Sequence, residues 1–164
     1  MVIIEGPDCS GKTTISEMLA SAFNVPMIHS PGVVHTPDQL DERLFWCDEL
    51  CKIQRLIMDR CFYFSELVYG PILRGESKID LSVTEEFLTN KFVKQKHLLV
   101  YCDQRLPLND KKDIELNIEL IRGGYSNLFY EMLHPVLQAN HSNLTTVQSE
   151  KDYPLLLSYA RSVL

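Results

Sequence analysis

Short apolar segments recur along the chain, separated mainly by stretches in which apolar residues return every three or four positions. The short segments predict β-strands and the periodic stretches predict helices. An alternation of strands and helices is typical of a parallel sheet covered by helices on both faces. We therefore predict one α/β domain over residues 1–164, with strands near 2–5, 25–29, 55–59, 97–102 and 143–147.

Local signals mark the ends of several helices. The helix after the first strand is expected to end near Phe23-Asn24. Thr36 and Pro37 predict the start of a helix over about 38–54, with Thr36 as its cap and proline in its first turn. The run Ser82-Val83-Thr84-Glu85 predicts a capping box at the start of another helix.

A long helical period runs from Ile114 to Met132 and is interrupted by Gly123-Gly124. Two glycines cost a helix about 2 kcal/mol relative to two alanines. That cost indicates the close approach of a ligand or of another backbone. A last helix is predicted from Tyr153 to Leu164.

The turn after the first strand contains the strongest chemical signal. Residues 6–13, Gly-Pro-Asp-Cys-Ser-Gly-Lys-Thr, fit G-x-x-x-x-G-K-[ST] between an apolar strand and a helix. Such a loop points backbone N–H groups at a polyphosphate, and the next helix adds its positive end. Lys12 would reach the β- and γ-phosphates, and Thr13 would bind Mg²⁺. The predicted phosphate-binding residues are Gly6, Cys9, Ser10, Gly11, Lys12, Thr13 and Thr14.

Composition narrows the class of protein. With 45% hydrophobic and 23% charged residues, the 164-residue chain is typical of one globular domain. The net charge of −6 disfavours a protein that binds duplex DNA, and no apolar run approaches the length that spans a membrane. The five cysteines form neither a C-x-x-C pair nor an even disulfide framework, which predicts reduced thiols in a cytoplasmic protein.

Polar and charged residues follow several of the predicted strands. Ser30-Pro31, Asp59-Arg60 and Asp103 to Arg105 all stand at carboxyl ends. In open α/β sheets this edge binds ligands, so these segments are expected to meet beside the phosphate-binding loop.

Aromatic residues are dense directly after Asp59-Arg60 and favour a substrate pocket there. A surface ion pair above a packed aromatic cluster is the alternative interpretation. Trp46 also has two interpretations, as an ordinary core aromatic or as a side chain that packs against a nucleobase. The aromatic residues after the charged pair are Phe62, Tyr63, Phe64 and Tyr69.

A polar loop follows the fourth strand. Residues 104–113 contain Arg105, Lys111 and Lys112 but no apolar period. The loop suits a mobile lid over about 103–113, and a plain solvated loop is the alternative.

These residues together resemble the thymidylate kinase family of P-loop kinases, whose fold the deoxynucleoside kinases share. The similarity extends over nearly the whole chain. It depends on the phosphate-binding loop with Asp8, on Pro31-Gly32, on Asp59-Arg60 followed by Ser65, on the basic loop, and on Arg122-Gly123-Gly124-Tyr125.

The resemblance implies a P-loop NTPase fold with a short lid, and ATP- and Mg²⁺-dependent phosphoryl transfer to a deoxynucleotide. Asp8 would hydrogen-bond the acceptor sugar's 3′-hydroxyl and Arg60 would grip its 5′-phosphate. Asp59 would organise Mg²⁺ or the attacking group, and Arg105, with Lys111 or Lys112 as alternatives, would close over the donor phosphates. The expected acceptor-binding residues are Asp8, Pro31, Trp46, Arg60, Phe62, Ser65, Tyr69, Arg122 and Tyr125.

Two features depart from the family. The chain and its lid are shorter than usual, and His29-Ser30-Pro31-Gly32 stands where the family usually has an arginine. Base recognition is therefore expected to differ.

Three hypotheses follow. The first is a deoxynucleoside monophosphate kinase acting on thymidylate or a related pyrimidine nucleotide. The second is a kinase of a hydroxyl group, on a deoxynucleoside or on a modified pyrimidine such as 5-hydroxymethyluracil, free or within DNA; the acidic charge weakens its DNA version. The third is a nucleotide-binding switch without an acceptor. The helix over 38–54 offers a surface for a homodimer.

Overall fold

A parallel five-stranded sheet forms the centre of the structure, a computed structural model that describes residues 1–30, 34–95, 97–106, 117–139 and 143–164. The strand order is β2-β3-β1-β4-β5, and each neighbouring pair is parallel. This confirms the predicted parallel sheet, although the second strand begins after Pro26, which has no N–H to donate. The strands are Val2–Glu5 (β1), Met27–His29 (β2), Ile57–Asp59 (β3), Leu98–Cys102 (β4) and Asn143–Val147 (β5).

Seven α-helices are described, two of which continue into a π-helical segment. They are Lys12–Phe23 (α1), Pro37–Leu50 (α2), Phe62–Arg74 (α3), Leu81–Phe87 (α4) with Leu88–Val93, Ile118–Asn127 (α5) with Leu128–Met132, His134–Ala139 (α6) and Tyr153–Val163 (α7).

Two of the three predicted helix ends are confirmed. Helix α1 ends at Phe23, with Asn24 in the left-handed conformation, and Thr36 forms a capping box with Gln39 at the start of α2. The capping box at Ser82 was wrong, because α4 begins at Leu81 with no side-chain cap. The Thr84 hydroxyl instead donates to the Tyr63 carbonyl at 2.8 Å, which ties α4 to α3.

Hydrophobic side chains fill a layer on each face of the sheet. Ile3 of β1 packs with residues of α2, α3, α4 and α5, whereas Val2 and Ile4 pack with residues of α1 and α7. Successive residues of a strand point to opposite faces. Glu5 therefore shares the face of Ile3, towards α3 and α5.

The cysteines are all unpaired, and all except Cys9 are buried, in agreement with the predicted reduced thiols. Within the described ranges, no helix combines the length and the apolar character needed to cross a membrane.

The glycine pair of α5 has a packing role at one position only. A Cβ at Gly124 would lie 2.9 Å from Val68 Cγ1 of α3, whereas a Cβ at Gly123 would meet nothing within 4 Å. The close approach inferred from the sequence therefore exists at Gly124, where its partner is a side chain of a neighbouring helix and not another backbone.

This contrast predicts opposite effects of two neighbouring substitutions. Gly123→Ala should raise the free energy of unfolding by about 1 kcal/mol, because alanine is the better helix former. Gly124→Ala should lower it by about 1–2 kcal/mol, because overpacking against the stiff Val68 outweighs the same helix gain. Urea unfolding of both variants measures the difference, and equal stabilisation would contradict the packing role of Gly124.

Candidate active site

The loop between β1 and α1 has the conformation needed to hold phosphate. Gly6, Cys9 and Gly11 have φ angles of 146°, 55° and 81°. Gly6 is obligatory, because a Cβ there would lie 2.3 Å from the Cys102 carbonyl oxygen of β4. Thr13 and Thr14 at the start of α1 are exposed and accessible to a ligand. The loop thus presents the beginning of a helix to solvent, as an anion site requires.

Lys12 is buried in this loop, and its Nζ donates to the Pro7 carbonyl. Burial and the charge of Arg60 lower the pKa of Lys12 to about 8, against the opposing effects of Asp8 and Glu5. A bound polyphosphate would favour the charged amine.

Asp59, at the end of β3, contacts the phosphate-binding loop and β2 with one carboxylate oxygen. The Thr13 hydroxyl donates to Asp59 Oδ2 at 2.9 Å, and His29 Nδ1 lies 2.9 Å from the same oxygen. Hydroxyl and carboxylate oxygens are ligands that Mg²⁺ accepts, usually together with waters and substrate phosphates. Thr13 and Asp59 therefore fit the expected metal position.

Arg60 has a strained backbone and a well-held side chain. Its φ is 69°, uncommon for a residue other than glycine. Its guanidinium lies 2.5 Å from Asp8 Oδ1 and 4.9 Å from the centre of the Tyr69 ring. The Tyr69 hydroxyl donates to Asp8 Oδ2 at 2.9 Å. The structure thus brings three predicted acceptor residues into one cluster.

Glu5 also belongs to this region, although sequence reasoning missed it. Its carboxyl group is fully buried, accepts a hydrogen bond from the Cys61 N–H, and accepts another from the Tyr125 hydroxyl at 3.0 Å. Burial raises the pKa of Glu5 to about 7, opposed by the Cys61 bond and by the charges of Arg60 and Lys12. The available signal was an acidic residue at the end of an otherwise apolar strand.

Three further predicted acceptor residues lie on α3 and α5, and one of them contacts the cluster. Tyr125 is fully buried, and its ring meets that of Tyr69 edge-on at 5.9 Å. Phe62 is buried in the hydrophobic core at the start of α3. The Ser65 hydroxyl donates to the Cys61 carbonyl at 3.2 Å, one turn back along the chain.

Three other predicted residues are described in different surroundings. Arg122 pairs with Glu119 of its own helix at 2.5 Å, and Trp46 is partly buried against the hydrophobic core. Arg105 is exposed. Pro31, Lys111, Lys112 and lid positions 107–113 lie outside the described residues.

The first residues after β4 cover the phosphate-binding loop. The Leu106 N–H donates to the Cys9 carbonyl at 3.1 Å. Gln104 is buried, and its Oε1 would lie 2.8 Å from a Cβ at Gly11. The start of the predicted lid is therefore packed on the loop, and Gly11 is needed for this contact as well as for its positive φ.

Comparison with known proteins places this geometry in a fold. No protein-family model matches the chain, and no curated protein matches its sequence. Solved structures do match over nearly the whole chain. YorR of Bacillus subtilis, in complex with phosphorylated GDP, is 21% identical with a TM-score of 0.65, over 98% of this chain and 97% of that one.

Two further structures are similar. Deoxyadenosine kinase from M. mycoides with bound dCTP is 14% identical with a TM-score of 0.58, over 99% of this chain and 100% of that one. Thymidylate kinase from Ehrlichia chaffeensis is 20% identical with a TM-score of 0.50, over 99% and 96%. At these identities the comparison shows the fold alone, which is the α/β fold of P-loop nucleotide kinases.

The buried Glu5 carboxyl predicts a pH dependence of stability. The unfolded chain releases this proton near pH 4.5, whereas the folded chain keeps it until about pH 7. Within this window the unfolded chain gains stability by ionising while the folded chain keeps the proton. The free energy of unfolding therefore falls as the pH rises from about 4.5 to 7. Glu5→Gln removes this dependence, so its stability relative to the unsubstituted protein should rise between pH 4.5 and 7 by up to about 3 kcal/mol.

Denaturant unfolding of both proteins at several pH values measures this difference. Titratable groups far from Glu5 cancel in this difference. Lys12 and Tyr125, which lie near the carboxyl group, have pKa values above the window, about 8 for Lys12 and well above the ordinary value for Tyr125. A difference that does not change with pH would contradict the raised pKa.

Proposed function

We propose that this protein is an ATP- and Mg²⁺-dependent kinase that transfers a phosphoryl group to the 5′-phosphate of a deoxynucleoside monophosphate, with thymidylate or a related pyrimidine nucleotide as the preferred acceptor. The observation that carries the proposal is the side-by-side placement of Asp59 and Arg60. Asp59 accepts a hydrogen bond from Thr13, the residue expected to bind the metal, while Arg60 contacts Asp8 and Tyr69.

The donor side consists of the phosphate-binding loop and Lys12. Phosphoryl transfer develops charge on the equatorial oxygens, so the protein mainly positions the reactants and neutralises that charge. Backbone N–H groups and Lys12 would hold the ATP phosphates, and Thr13 with Asp59 would hold Mg²⁺. The metal supplies neutralisation of the β- and γ-phosphate charge when it is bound.

The acceptor side requires a cation for the phosphate and no strong base. The phosphate of a nucleoside monophosphate is largely ionised at neutral pH and can attack without a general base. A guanidinium group binds phosphate through two parallel hydrogen bonds. In the structure the Arg60 guanidinium group pairs with Asp8. An acceptor phosphate would compete with Asp8 for Arg60, and the Asp8 carboxylate could then bind the sugar hydroxyl.

The engagement of Asp59 also favours a monophosphate acceptor. Its Oδ2 contacts both Thr13 and His29. The contact with Thr13 fits Asp59 as a residue that organises Mg²⁺, and a monophosphate acceptor leaves it to that role because no general base is then needed. The similarity to YorR with phosphorylated GDP and to thymidylate kinase supports a nucleotide acceptor.

A hydroxyl acceptor is the second candidate, and one observation favours it. The imidazole of His29 is 56% exposed and lies 2.9 Å from Asp59, so the pair could take a proton from a substrate hydroxyl. The similarity to deoxyadenosine kinase is compatible with this function. A switch without an acceptor gains no comparable support, because the cluster around Arg60 would then have no role.

A substrate panel distinguishes these functions. ATP consumption with Mg²⁺ is measured against deoxynucleosides, their 5′-monophosphates, 5-substituted pyrimidine nucleotides and DNA that contains 5-hydroxymethyluracil. We expect saturable turnover with a deoxynucleoside monophosphate, thymidylate foremost, and none with the matching nucleoside. Turnover only with a nucleoside or modified DNA would replace the proposal by the second candidate, and slow hydrolysis independent of all acceptors would indicate a switch.

A further inference from the structure

The buried carboxyl group of Glu5 contacts the backbone of the corner that carries Arg60. At this corner the chain leaves β3 and enters α3, and Arg60 adopts a φ of 69°. A left-handed conformation is unfavourable for arginine and persists only where the surroundings fix it. The contacts that fix this corner therefore determine the backbone position from which the Arg60 side chain extends.

The end of β1 binds both amides of the corner. The Arg60 N–H donates to the Ile4 carbonyl at 2.9 Å, which continues the pairing of β1 with β3. The next N–H, of Cys61, has no strand partner because the chain has turned away, and it donates to Glu5 Oε1. The Glu5 side chain thus acts as the acceptor where backbone pairing ends.

The other oxygen of Glu5 links the corner to the side chains around Arg60. The Tyr125 hydroxyl donates to Glu5 Oε2 at 3.0 Å. The Tyr125 ring packs edge-on against Tyr69, whose hydroxyl donates to Asp8. Glu5 thereby contacts the corner directly, through Cys61, and the cluster indirectly, through Tyr125.

Burial of this carboxyl group needs a reason. Glu5 is completely inaccessible to solvent, and its position in β1 continues the face of Ile3, where an apolar residue would pack without cost. A buried carboxyl is expensive unless it is hydrogen-bonded. Its two donors, the Cys61 N–H and the Tyr125 hydroxyl, compensate for this cost. Cys61 directly follows Arg60, and Tyr125 packs against Tyr69, so both donors adjoin the cluster proposed to bind the acceptor.

We propose that Glu5 is a positioning residue that holds the Arg60 corner, and with it the guanidinium group, in place for the acceptor phosphate. It does so by accepting the Cys61 N–H, and it does not itself touch the substrate. This inference depends on the proposed monophosphate kinase activity.

Three variants test the role. Glu5→Met has a similar length and no strong acceptor, so the Cys61 N–H loses its hydrogen bond. Glu5→Gln keeps an acceptor oxygen at the same reach. Glu66→Met is the matched control. Glu66 lies farther along α3, is also buried, and accepts a hydrogen bond from the Lys78 N–H at 2.8 Å.

Steady-state kinetics are measured for ATP and for the nucleoside monophosphate separately, with thermal unfolding of each variant. Because small misplacements of a binding group cost up to about 100-fold, Glu5→Met should lower kcat/KM for the acceptor by at least ~10-fold, with KM for ATP changed less than ~2-fold. Glu5→Gln should stay within ~3-fold of the unsubstituted protein, since it restores the hydrogen bond. Glu66→Met should lose thermal stability and keep both constants.

Equal losses for ATP and acceptor, or unchanged kinetics of a folded Glu5→Met, would overturn the inference. So would a Glu5→Gln variant as impaired as Glu5→Met, because the hydrogen bond would then not be what matters. If Glu5→Met does not fold, Glu5→Asp gives the same test, since its carboxyl is one methylene too short for Cys61. Failure of the unsubstituted protein to use any monophosphate would instead overturn the proposed function.

Discussion

The register between β1 and β3 determines the rest of the site. Ile4 pairs with Asp59, the last residue of β3, so β1 ends only one residue beyond the end of β3. The phosphate-binding loop begins two residues after Ile4, and the Arg60 corner begins one residue after Asp59. This single pairing therefore places Thr13 against Asp59 and Asp8 against Arg60, which are far apart in sequence. A slip of one residue would move every side chain of β3 to the other face and separate these pairs.

The same pairing concentrates charge in a small buried volume. The basic groups are Lys12 and Arg60, and the acidic groups are Asp8, Asp59 and Glu5, whose carboxyl keeps its proton until about pH 7. Asp8 lies against Arg60, and its charge also opposes the effect of burial on the pKa of Lys12. The lowered pKa of Lys12 and the raised pKa of Glu5 both result mainly from burial. Phosphates and a divalent cation would enter by exchanging partners within this set, which is how such a site can bind charged substrates and release them.

Much of the architecture could be predicted from the sequence, because strand and helix periods are local signals. The five strands, both sheet faces and the start of α2 follow from them. Helix α3 was not predicted. Most of its residues are apolar or aromatic, so no polar face marks a helical period, and Pro71 lies inside it. The meeting of Asp8 and Arg60 could be predicted because the motif and the end of β3 place them at one edge, whereas their expected acceptor roles follow from the family resemblance alone.

Glu5 and Gln104 could not be predicted in the same way. Their roles depend on partners 56 to 120 positions away, such as Cys61 and Tyr125 for Glu5, and only the folded structure shows those contacts. The sequence also over-interpreted local features. Gly123-Gly124 indicated the close approach of a ligand or of another backbone, whereas Gly124 accommodates the Val68 side chain. The predicted box at Ser82 is replaced by a hydrogen bond from the buried Thr84 to α3.

The most direct test of the account is the kinetic effect of Arg60→Gln, compared with Arg55→Gln. Arg55 is exposed at the opposite end of β3, where it donates to the Phe23 carbonyl at 3.1 Å. If Arg60 binds the acceptor phosphate, Arg60→Gln should lower kcat/KM for the monophosphate by about 100-fold or more and leave KM for ATP nearly unchanged. Arg55→Gln should change neither. A collapse of ATP affinity in Arg60→Gln, or undiminished use of the monophosphate, would contradict the assignment of the acceptor site.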